Sequence, residues 1–210
     1  MARPRRISDE QIILTARRVF LEHGPQASTQ LIADQLQVSQ PALFKRFGSK
    51  RELMIAALAP RGIERVVTRL HGGPVSDDPQ RELFELGLEL CAFMREMVPC
   101  VSVLRSAGVD AIELLRQFDV PPPLRAIRAM TDWFRRGQDE ALLRECDPQA
   151  VSVAFIGALH HRAFLHHILG RSATADELGS DEDYVRGVVD ALWNGIRPGT
   201  NGDAAMETRA

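Results

Sequence analysis

Residues 28 to 53 constrain the fold most, because three serines in this stretch each precede a short segment with apolar residues at helical spacing. Ser28, Ser39 and Ser49 are suited to cap helices, since a serine hydroxyl accepts a backbone N–H of the first helical turn. The pattern predicts two short helices, a tight turn between them and the start of a third helix. This is the arrangement of a helix-turn-helix motif.

The two short helices are predicted to cross closely. The small side chain of Ala33 allows the second helix to approach the first, and Val38 is placed to fill the corner between them. Leu43 and Phe47 are four residues apart and therefore share one face of the second helix, which we expect to pack inward. The residues left pointing outward or along the rim are Gln40, Ala42, Phe44, Lys45 and Arg46.

The third helix is predicted to begin at Lys50, where Ser49 and Glu52 have the spacing of a capping box. Its helical pattern runs to about Leu70 and stops at the Gly and Pro residues that follow His71. The sequence therefore predicts one continuous rod from Lys50 to Leu70.

The rest of the chain reads as a series of amphipathic helices with Gly and Pro between them. A helix is predicted from Pro79 to Val98, and the segment from Pro99 to Phe118 is expected to form two pieces around Gly108. Further helices are predicted to start at the prolines 121–123, at Asp147-Pro148 and, by a capping box, at Ser180-Asp183. Sustained period-two alternation is absent, so the predicted fold class is all-α.

Charge is distributed unevenly along the chain. The net charge is −2, but residues 1–60 hold nine Lys and Arg against five Asp and Glu, whereas residues 61–210 hold seventeen against twenty-three. Such an asymmetry is expected of a basic nucleic-acid-binding head on an acidic body, although surface charge also varies by chance. Both lysines of the chain, Lys45 and Lys50, lie in the helix-turn-helix region.

Residues 8 to 58 resemble the N-terminal domain of the TetR family of one-component transcriptional regulators. The resemblance is carried by the first-helix pattern IILTARRVFLEHG, by Ser28-Thr29, by Val38-Ser39, by the block LFKRF and by Gly48-Ser49-Lys50. The chain departs from the family pattern in two places, since the family usually has Gly at Gln37 and Tyr at Phe44. Either the backbone at Gln37 is left-handed and strained by about 1 kcal/mol, or the turn differs slightly from the family's.

The resemblance implies an N-terminal three-helix helix-turn-helix domain at residues 1–52 and a C-terminal helical effector and dimerisation domain at 53–197. Residues 198–210 read as a disordered tail. The expected partner is double-stranded DNA with a palindromic operator. The residues expected to contact it are Ser28, Thr29, Ser39, Gln40, Ala42, Phe44, Lys45, Arg46 and Lys50. The basic arm of Arg3, Arg5 and Arg6 could reach phosphates or a minor groove, or be a solubilising tail.

The last two long helices are predicted to form a homodimer, as the resemblance implies. The helix after Pro148 has almost no polar face, and the final helix carries a stripe of small residues that permits close approach. The alternative is that both helices are interior. The predicted interface residues are Phe155, Ala158, Leu159, Arg162, Val188, Ala191, Leu192 and Gly195.

A pocket for a small apolar effector is implied by the resemblance for the middle helices. Methionine and aromatic side chains suit such a cavity, but they equally suit a plain core. The predicted lining is Phe84, Leu88, Cys91, Met94, Met97, Phe118, Met130, Trp133 and Phe134. His160, His161, His166 and His167 suggest a metal site or, as we favour, the edge of the dimer contact. No cofactor and no metal are predicted.

Other functional classes find little support in the sequence. No carboxylate pair, nucleophile with a base or phosphate-binding glycine loop stands out, so an enzyme is not expected. No signal or membrane segment is evident, and Cys91, Cys100 and Cys146 are read as free thiols, which together predict a cytoplasmic protein. The leading hypothesis is a homodimeric repressor released from DNA by a ligand. The alternatives are a DNA-binding dimer without an effector, and a helical small-molecule-binding protein or enzyme.

Overall fold

A computed structural model describes residues 7–60, 62–75, 77–110, 114–115 and 118–196. Regular structure in these ranges consists of helices alone, with no β-strand, so the predicted all-α class is confirmed. The predicted basic arm at residues 3–6 and the predicted tail at residues 198–210 lie outside the described residues.

The described helices follow each other in chain order. Their bounds are α1 Asp9–His23, α2 Thr29–Leu36, α3 Gln40–Phe47, α4 Lys50–Leu58, α5 Ile63–Leu70, α6 Pro79–Ser106, α7 Pro122–Asp139, α8 Pro148–Leu169, α9 Arg171–Leu178 and α10 Asp181–Ile196.

Several predicted helix starts are confirmed by hydrogen bonds. Ser180 and Asp183 form the capping box predicted at the start of α10. A further reciprocal capping box, between Ser8 and Gln11, starts α1. Asp147 caps α8 by accepting the backbone N–H of residues 149 and 150. The favourable N-terminal signals in the sequence therefore act where they were expected.

The chain divides into two compact units. An N-terminal unit comprises the described residues up to 60 together with those between 97 and 117, and a C-terminal unit comprises residues 62–96 and 118–196. Helix α6 has its first part, to Glu96, in the C-terminal unit and its last part, from Met97, in the N-terminal unit. The boundary predicted at residue 52 differs from this division, because α4 packs on α1 in the N-terminal unit.

The core of the N-terminal unit collects the apolar faces of its helices. The side chains of α1 and α4 enclose the buried residues of α2 and α3, and Cys100, Leu104 and Val109 complete the cluster. Burial of this many apolar side chains in a small unit is the main source of its stability. The short helices α2 and α3 are thereby held although eight residues alone would not form a stable helix.

The core of the C-terminal unit is built around aromatic side chains. Trp133 and Phe134 are fully buried and meet edge to face, with ring centroids 5.1 Å apart. The indole Nε1 of Trp133 donates to the Glu82 carboxylate over 3.2 Å, and the second oxygen of Glu82 accepts the backbone N–H of Val75. The buried carboxylate is therefore hydrogen-bonded, as burial of a charge requires.

Two predictions about helix bounds are wrong. The rod from Lys50 to Leu70 is two helices, because Pro60 disfavours the helical conformation of the residue before it and Gly62 takes a left-handed φ of 99°. Helix α6 continues through Pro99 to Ser106 instead of ending at Val98, since the flanking residues Val98 and Cys100 are buried and packing outweighs the lost hydrogen bond. The segment after Leu169, for which no helix was predicted, forms the short helix α9.

Candidate nucleic-acid interface

The turn between α2 and α3 depends on one left-handed residue. Gln37 has φ 56° and ψ 40°, and its backbone N–H contacts the carbonyl oxygens of Ala33 and Asp34. The N–H of Val38 then donates to Ala33 O over 3.0 Å, which closes the end of α2. Of the two alternatives for this turn, the structure has the left-handed backbone at Gln37, where a non-glycine side chain is strained.

A serine hydroxyl caps the start of each of the helices α2, α3 and α4. Ser28 accepts the N–H of Gln30 at 3.1 Å, Ser39 accepts that of Ala42 at 3.3 Å, and Ser49 accepts that of Glu52 at 3.1 Å. The backbone N–H of Ser49 donates to Phe47 O and not to the Glu52 carboxylate. Of the predicted capping box at α4, only the half in which the Ser49 hydroxyl accepts the Glu52 N–H is therefore formed. Capping fixes the directions in which α2, α3 and α4 begin.

Packing decides which face of α3 is available. Ala33 and Leu43 are fully buried, and Phe47 and Val38 pack half-buried against the same cluster. The predicted inward face is therefore confirmed. The opposite face of α3 exposes Ala42, Lys45 and Arg46 and leaves Gln40 and Phe44 half-buried.

Two of the expected DNA contacts are engaged inside the unit. Thr29 is only 5% exposed, and its hydroxyl accepts a hydrogen bond of 2.5 Å from the Gln40 side-chain amide. Thr29 is thus buried rather than on the surface, because it is the first residue of α2 and faces the first residue of α3. Sequence reasoning missed this pairing, since the two residues are eleven positions apart.

Arg46 is also tied down. Its guanidinium Nη1 donates to the carbonyl oxygen of Ile7 over 2.6 Å and to the Asp9 carboxylate over 3.1 Å. The bond links the last turn of α3 to the first turn of α1. Arg46 therefore positions α3 in this structure, although its exposed side chain was expected to face DNA.

Five of the remaining predicted residues keep access to solvent and are called the rim below. Ser28, Ser39, Ala42 and Lys45 are exposed, and Lys50 is half-buried at the start of α4. The rim combines capping hydroxyls, helix N-termini and lysine charge, which are the groups that contact phosphates in protein–DNA complexes.

Residues 12–57 match the family model described as bacterial regulatory proteins, tetR family. The N-terminal segment belongs to the TetR family. The match spans α1 to α4 up to Ala57, so it contains the turn, the three capping serines and the rim. No curated protein sequence matches the chain.

Solved structures extend the likeness beyond the TetR-family segment. A protein assigned to the TetR-family transcriptional regulators from Mesorhizobium loti is 19% identical over 90% of this chain and 96% of that chain, with a TM-score of 0.67. The TetR-family regulator PfmR from Thermus thermophilus is 23% identical over 88% and 97%, with a TM-score of 0.64. SmeT, in its triclosan complex, is 18% identical over 91% and 95%, with a TM-score of 0.65. The chain therefore has the fold of TetR-family transcriptional regulators.

The residues predicted to line an effector pocket are distributed over several environments. Met130, Trp133 and Phe134 are fully buried in the close-packed core, and Cys91 and Met94 are also buried. One surface depression lies beside Arg17 and Arg18 and another beside Arg69 and Glu82, and none of the predicted lining residues borders either of these two. Phe84, Leu88 and Met97 are half-buried, and Phe118 is exposed.

The predicted dimer residues need a correction on α8. Phe155, Leu159 and Arg162 are enclosed in the C-terminal unit, so they do not form a surface for a second copy. Helix α8 is apolar on nearly all sides, and the sequence alone could not decide which face turns inward. On α10, Ala191 is exposed, whereas Val188, Leu192 and Gly195 are half-buried, as is Ala158 on α8.

The outward face of α8 is apolar nonetheless. Val153, Phe164 and Ile168 are 49%, 42% and 58% exposed, and a Cβ built on Gly157 would meet no atom within 4 Å. His160, His161 and His167 lie exposed on α8, and no grouping of three or more His, Cys, Asp or Glu side chains suited to a metal occurs in the described part of the chain. Among the described residues no helix has the length and apolar character needed to cross a bilayer.

Proposed function

We propose that this protein is a sequence-specific DNA-binding transcriptional regulator, in which α3 enters the major groove of double-stranded DNA. The observation that carries the proposal is the accessible rim of the TetR-family segment, with Ala42 and Lys45 exposed on α3. An α-helix fits the major groove, where base edges present a distinct pattern for each base pair. Ala42 suits apolar contact with a thymine methyl, and Lys45 suits a phosphate or a guanine.

Phosphate contacts would come from groups around the turn. Ser28 and Ser39 are exposed at the N-termini of α2 and α3, where backbone N–H groups and the helix dipole favour an anion. Lys50, the first residue of α4, adds a positive charge. Together these groups would set the register of α3 on the duplex without reading sequence.

Homodimerisation is part of the proposal. One helix-turn-helix reads a half-site, and a two-fold dimer reads a palindromic operator with half-sites about 34–36 Å apart. The exposed apolar face of α8 and the small residues of α10 support this arrangement, since a second copy would cover Val153, Phe164 and Ile168. Gly157 and Gly187 have open space at the Cβ position and permit close approach of backbones.

Control by a small molecule completes the proposal. SmeT, which shares the fold, is solved in a complex with triclosan. A small molecule that binds the DNA-free conformation of a regulator more tightly than the DNA-bound conformation shifts the population towards release from DNA. We propose repression relieved by such a ligand. A DNA-binding dimer without an effector is the alternative. A screen of small molecules for release of the protein from its DNA separates the two possibilities.

A gel-shift experiment tests the DNA-binding proposal directly. The full-length protein is titrated onto duplex DNA from upstream of its own gene and onto a scrambled duplex of equal length, at moderate salt. We expect at least a hundredfold preference for the upstream duplex, and the Lys45→Ala and Lys50→Ala double variant should weaken binding to both duplexes. Equal affinity for the two duplexes at every salt concentration would refute sequence-specific binding. An Arg128→Ala variant, changed at an exposed arginine of α7, is the matched control.

A further inference from the structure

A buried arginine lies at the centre of a charged cluster in the C-terminal unit. Arg162 of α8 is 1% exposed, and its guanidinium Nε donates to Oδ1 of Asp181 over 2.8 Å. Its Nη2 donates to the carbonyl oxygen of Gly179 over 2.8 Å, and the guanidinium lies over the Tyr184 ring at 4.7 Å. The arginine is therefore anchored on one edge and one face.

A second arginine shares the same carboxylate. The Nη1 of Arg95, on α6, is paired with Oδ2 of Asp181. His166 of α8 adds an imidazole whose Nε2 is 4.0 Å from Oδ1 of Asp181. One carboxylate thus serves two guanidinium groups.

No other buried group near the cluster supplies a second negative charge among the described residues. Burial, reinforced by Asp181, raises the pKa of the Cys91 thiol, and burial raises that of the Tyr184 hydroxyl, so both stay neutral at neutral pH. Burial and the charge of Arg162 lower the pKa of His166, which keeps the imidazole neutral. Asp183 is exposed and bonded to Ser180, so solvent screens its charge. Two full positive charges therefore face one negative charge.

One hydrogen-bond donor of the cluster is unused. The Nη1 of Arg162 is buried and has no hydrogen-bond partner among the described residues. A buried donor without a partner is uncommon and costly, and it is more costly for a charged group. The unused donor belongs to the same arginine that lacks a full counter-charge.

We propose that this cluster is a binding site for a small monocarboxylate. A carboxylate oxygen would accept from Arg162 Nη1, and its charge would be shared with Arg95, whose side chain is 35% exposed and offers the approach from solvent. A single negative charge balances the cluster, and a planar carboxylate matches the geometry of a guanidinium. The site joins α6, α8 and the first turn of α10.

The inference refines the ligand component of the proposed function, and it rests on that function only for the effect on DNA. Carboxylate binding is measured on the protein alone. A failure to bind would leave DNA recognition untouched, whereas binding without release from DNA would separate the site from regulation.

Calorimetry and thermal unfolding with defined anions test the site. Wild-type protein is titrated with sodium acetate and sodium benzoate, and sodium chloride at equal ionic strength is the reference. We expect saturable heat and a rise in Tm for at least one carboxylate and none for chloride. Arg95→Gln and Arg162→Gln should each weaken binding at least tenfold, while Arg135→Gln, which changes an exposed arginine of α7, should bind as wild type.

Two outcomes would overturn the proposal. The first is a wild-type protein that gives no saturable response to either carboxylate, or the same response to chloride. The second is an Arg95→Gln variant that binds the carboxylate like wild type. If Arg162→Gln does not fold, Arg95→Gln still decides, because that residue is partly exposed and its loss leaves the Arg162–Asp181 bond in place.

Discussion

The Gln40 side-chain amide donates a 2.5 Å hydrogen bond to the Thr29 hydroxyl, and this bond joins the first residues of α2 and α3. The acceptor is buried, so water competes weakly for the donor. Gln40 therefore fixes the start of α3 relative to α2, and under the proposed function this positioning would be its first contribution to DNA recognition. A direct contact of Gln40 with a base edge would use the second N–H of its amide or its carbonyl oxygen.

Removing the acceptor should loosen this connection. Thr29→Val is expected to lower the free energy of unfolding by about 0.5–1.5 kcal/mol, because the Gln40 amide loses its buried partner. It should also reduce affinity for the upstream duplex more than for a scrambled duplex, since α3 loses its fixed orientation. Urea unfolding and gel shifts measure the two effects. Thr29→Ser keeps the hydroxyl and should keep the wild-type preference for the upstream duplex, although loss of its buried methyl lowers the free energy of unfolding by about 0.8 kcal/mol. A uniform loss of Thr29→Val affinity on both duplexes would argue against the positioning role.

Replacing the left-handed turn residue Gln37 by glycine should stabilise the protein. Gln37→Gly should raise the free energy of unfolding by roughly 0.5–1 kcal/mol, since the relief of about 1–2 kcal/mol of strain exceeds the added entropy of the unfolded chain. Ala42→Gly, at an exposed position inside α3, should instead lower it by about 0.5–1 kcal/mol. Urea denaturation of both variants measures the difference, and a destabilised Gln37→Gly protein would contradict the strain.

Local chemistry explains why much of the helix-turn-helix could be predicted. Ser28, Ser39 and Ser49 mark helix starts through a bond that spans two or three residues, and Leu43 follows from helical periodicity. The left-handed Gln37 followed from the usual glycine of the resembled family. All of these features depend on neighbours in sequence, which a single sequence displays.

The features that escaped prediction depend on contacts distant in sequence. Arg46 pairs with Asp9, thirty-seven residues away, and nothing local marks either residue as a partner. Helix α8 is apolar nearly all round, so the burial of Phe155 and Leu159 rather than Val153 is decided by which neighbours pack against it. The pairing of Arg95 with Asp181 likewise follows from the packing of the C-terminal unit.

Phosphate contacts predict a change in salt dependence. Lys50→Ala should weaken binding to operator and scrambled duplexes alike and lower the slope of log K against log salt by about one unit, because one fewer counterion is released. Binding isotherms at several salt concentrations measure the slope. Arg128→Ala in the C-terminal unit should leave the slope unchanged, and an unchanged slope in Lys50→Ala would remove Lys50 from the phosphate contacts.

The Asp181 carboxylate should make stability depend on pH. Burial would raise its pKa, but the hydrogen bond from Arg162 and the charge of Arg95 outweigh burial and hold the pKa below its usual value. A lowered pKa stabilises the folded state above the unfolded value of about 3.9, and this contribution is lost as pH falls through the folded pKa. Asp181→Asn should therefore be less stable than wild type at pH 6, and the difference should shrink below about pH 4.

Urea unfolding between pH 3 and pH 7 measures this difference. Asp176→Asn, at an exposed position of α9, is the control and should follow wild type. His166 titrates in a separate window, because its lowered pKa makes acid destabilise the folded state from about pH 6.5 downward. If the free energies of unfolding of wild type and Asp181→Asn differ by the same amount from pH 7 to pH 3, the stabilising interaction of the Asp181 charge with Arg162 and Arg95 is contradicted.

A substitution on the outward face of α8 should weaken dimerisation without unfolding the protomer. Gly157 has open space at its Cβ position, and replacement of a helical glycine favours the helix by up to about 1 kcal/mol, so Gly157→Arg should not unfold the protomer. A second copy covering Val153 and Phe164 would, however, meet the long charged side chain. We expect the dissociation constant of the dimer to rise about tenfold or more, equivalent to about 1.4 kcal/mol, in sedimentation velocity. Ser172→Arg on α9 should associate as wild type, and a Gly157→Arg protein that remains fully dimeric would exclude this face from the interface.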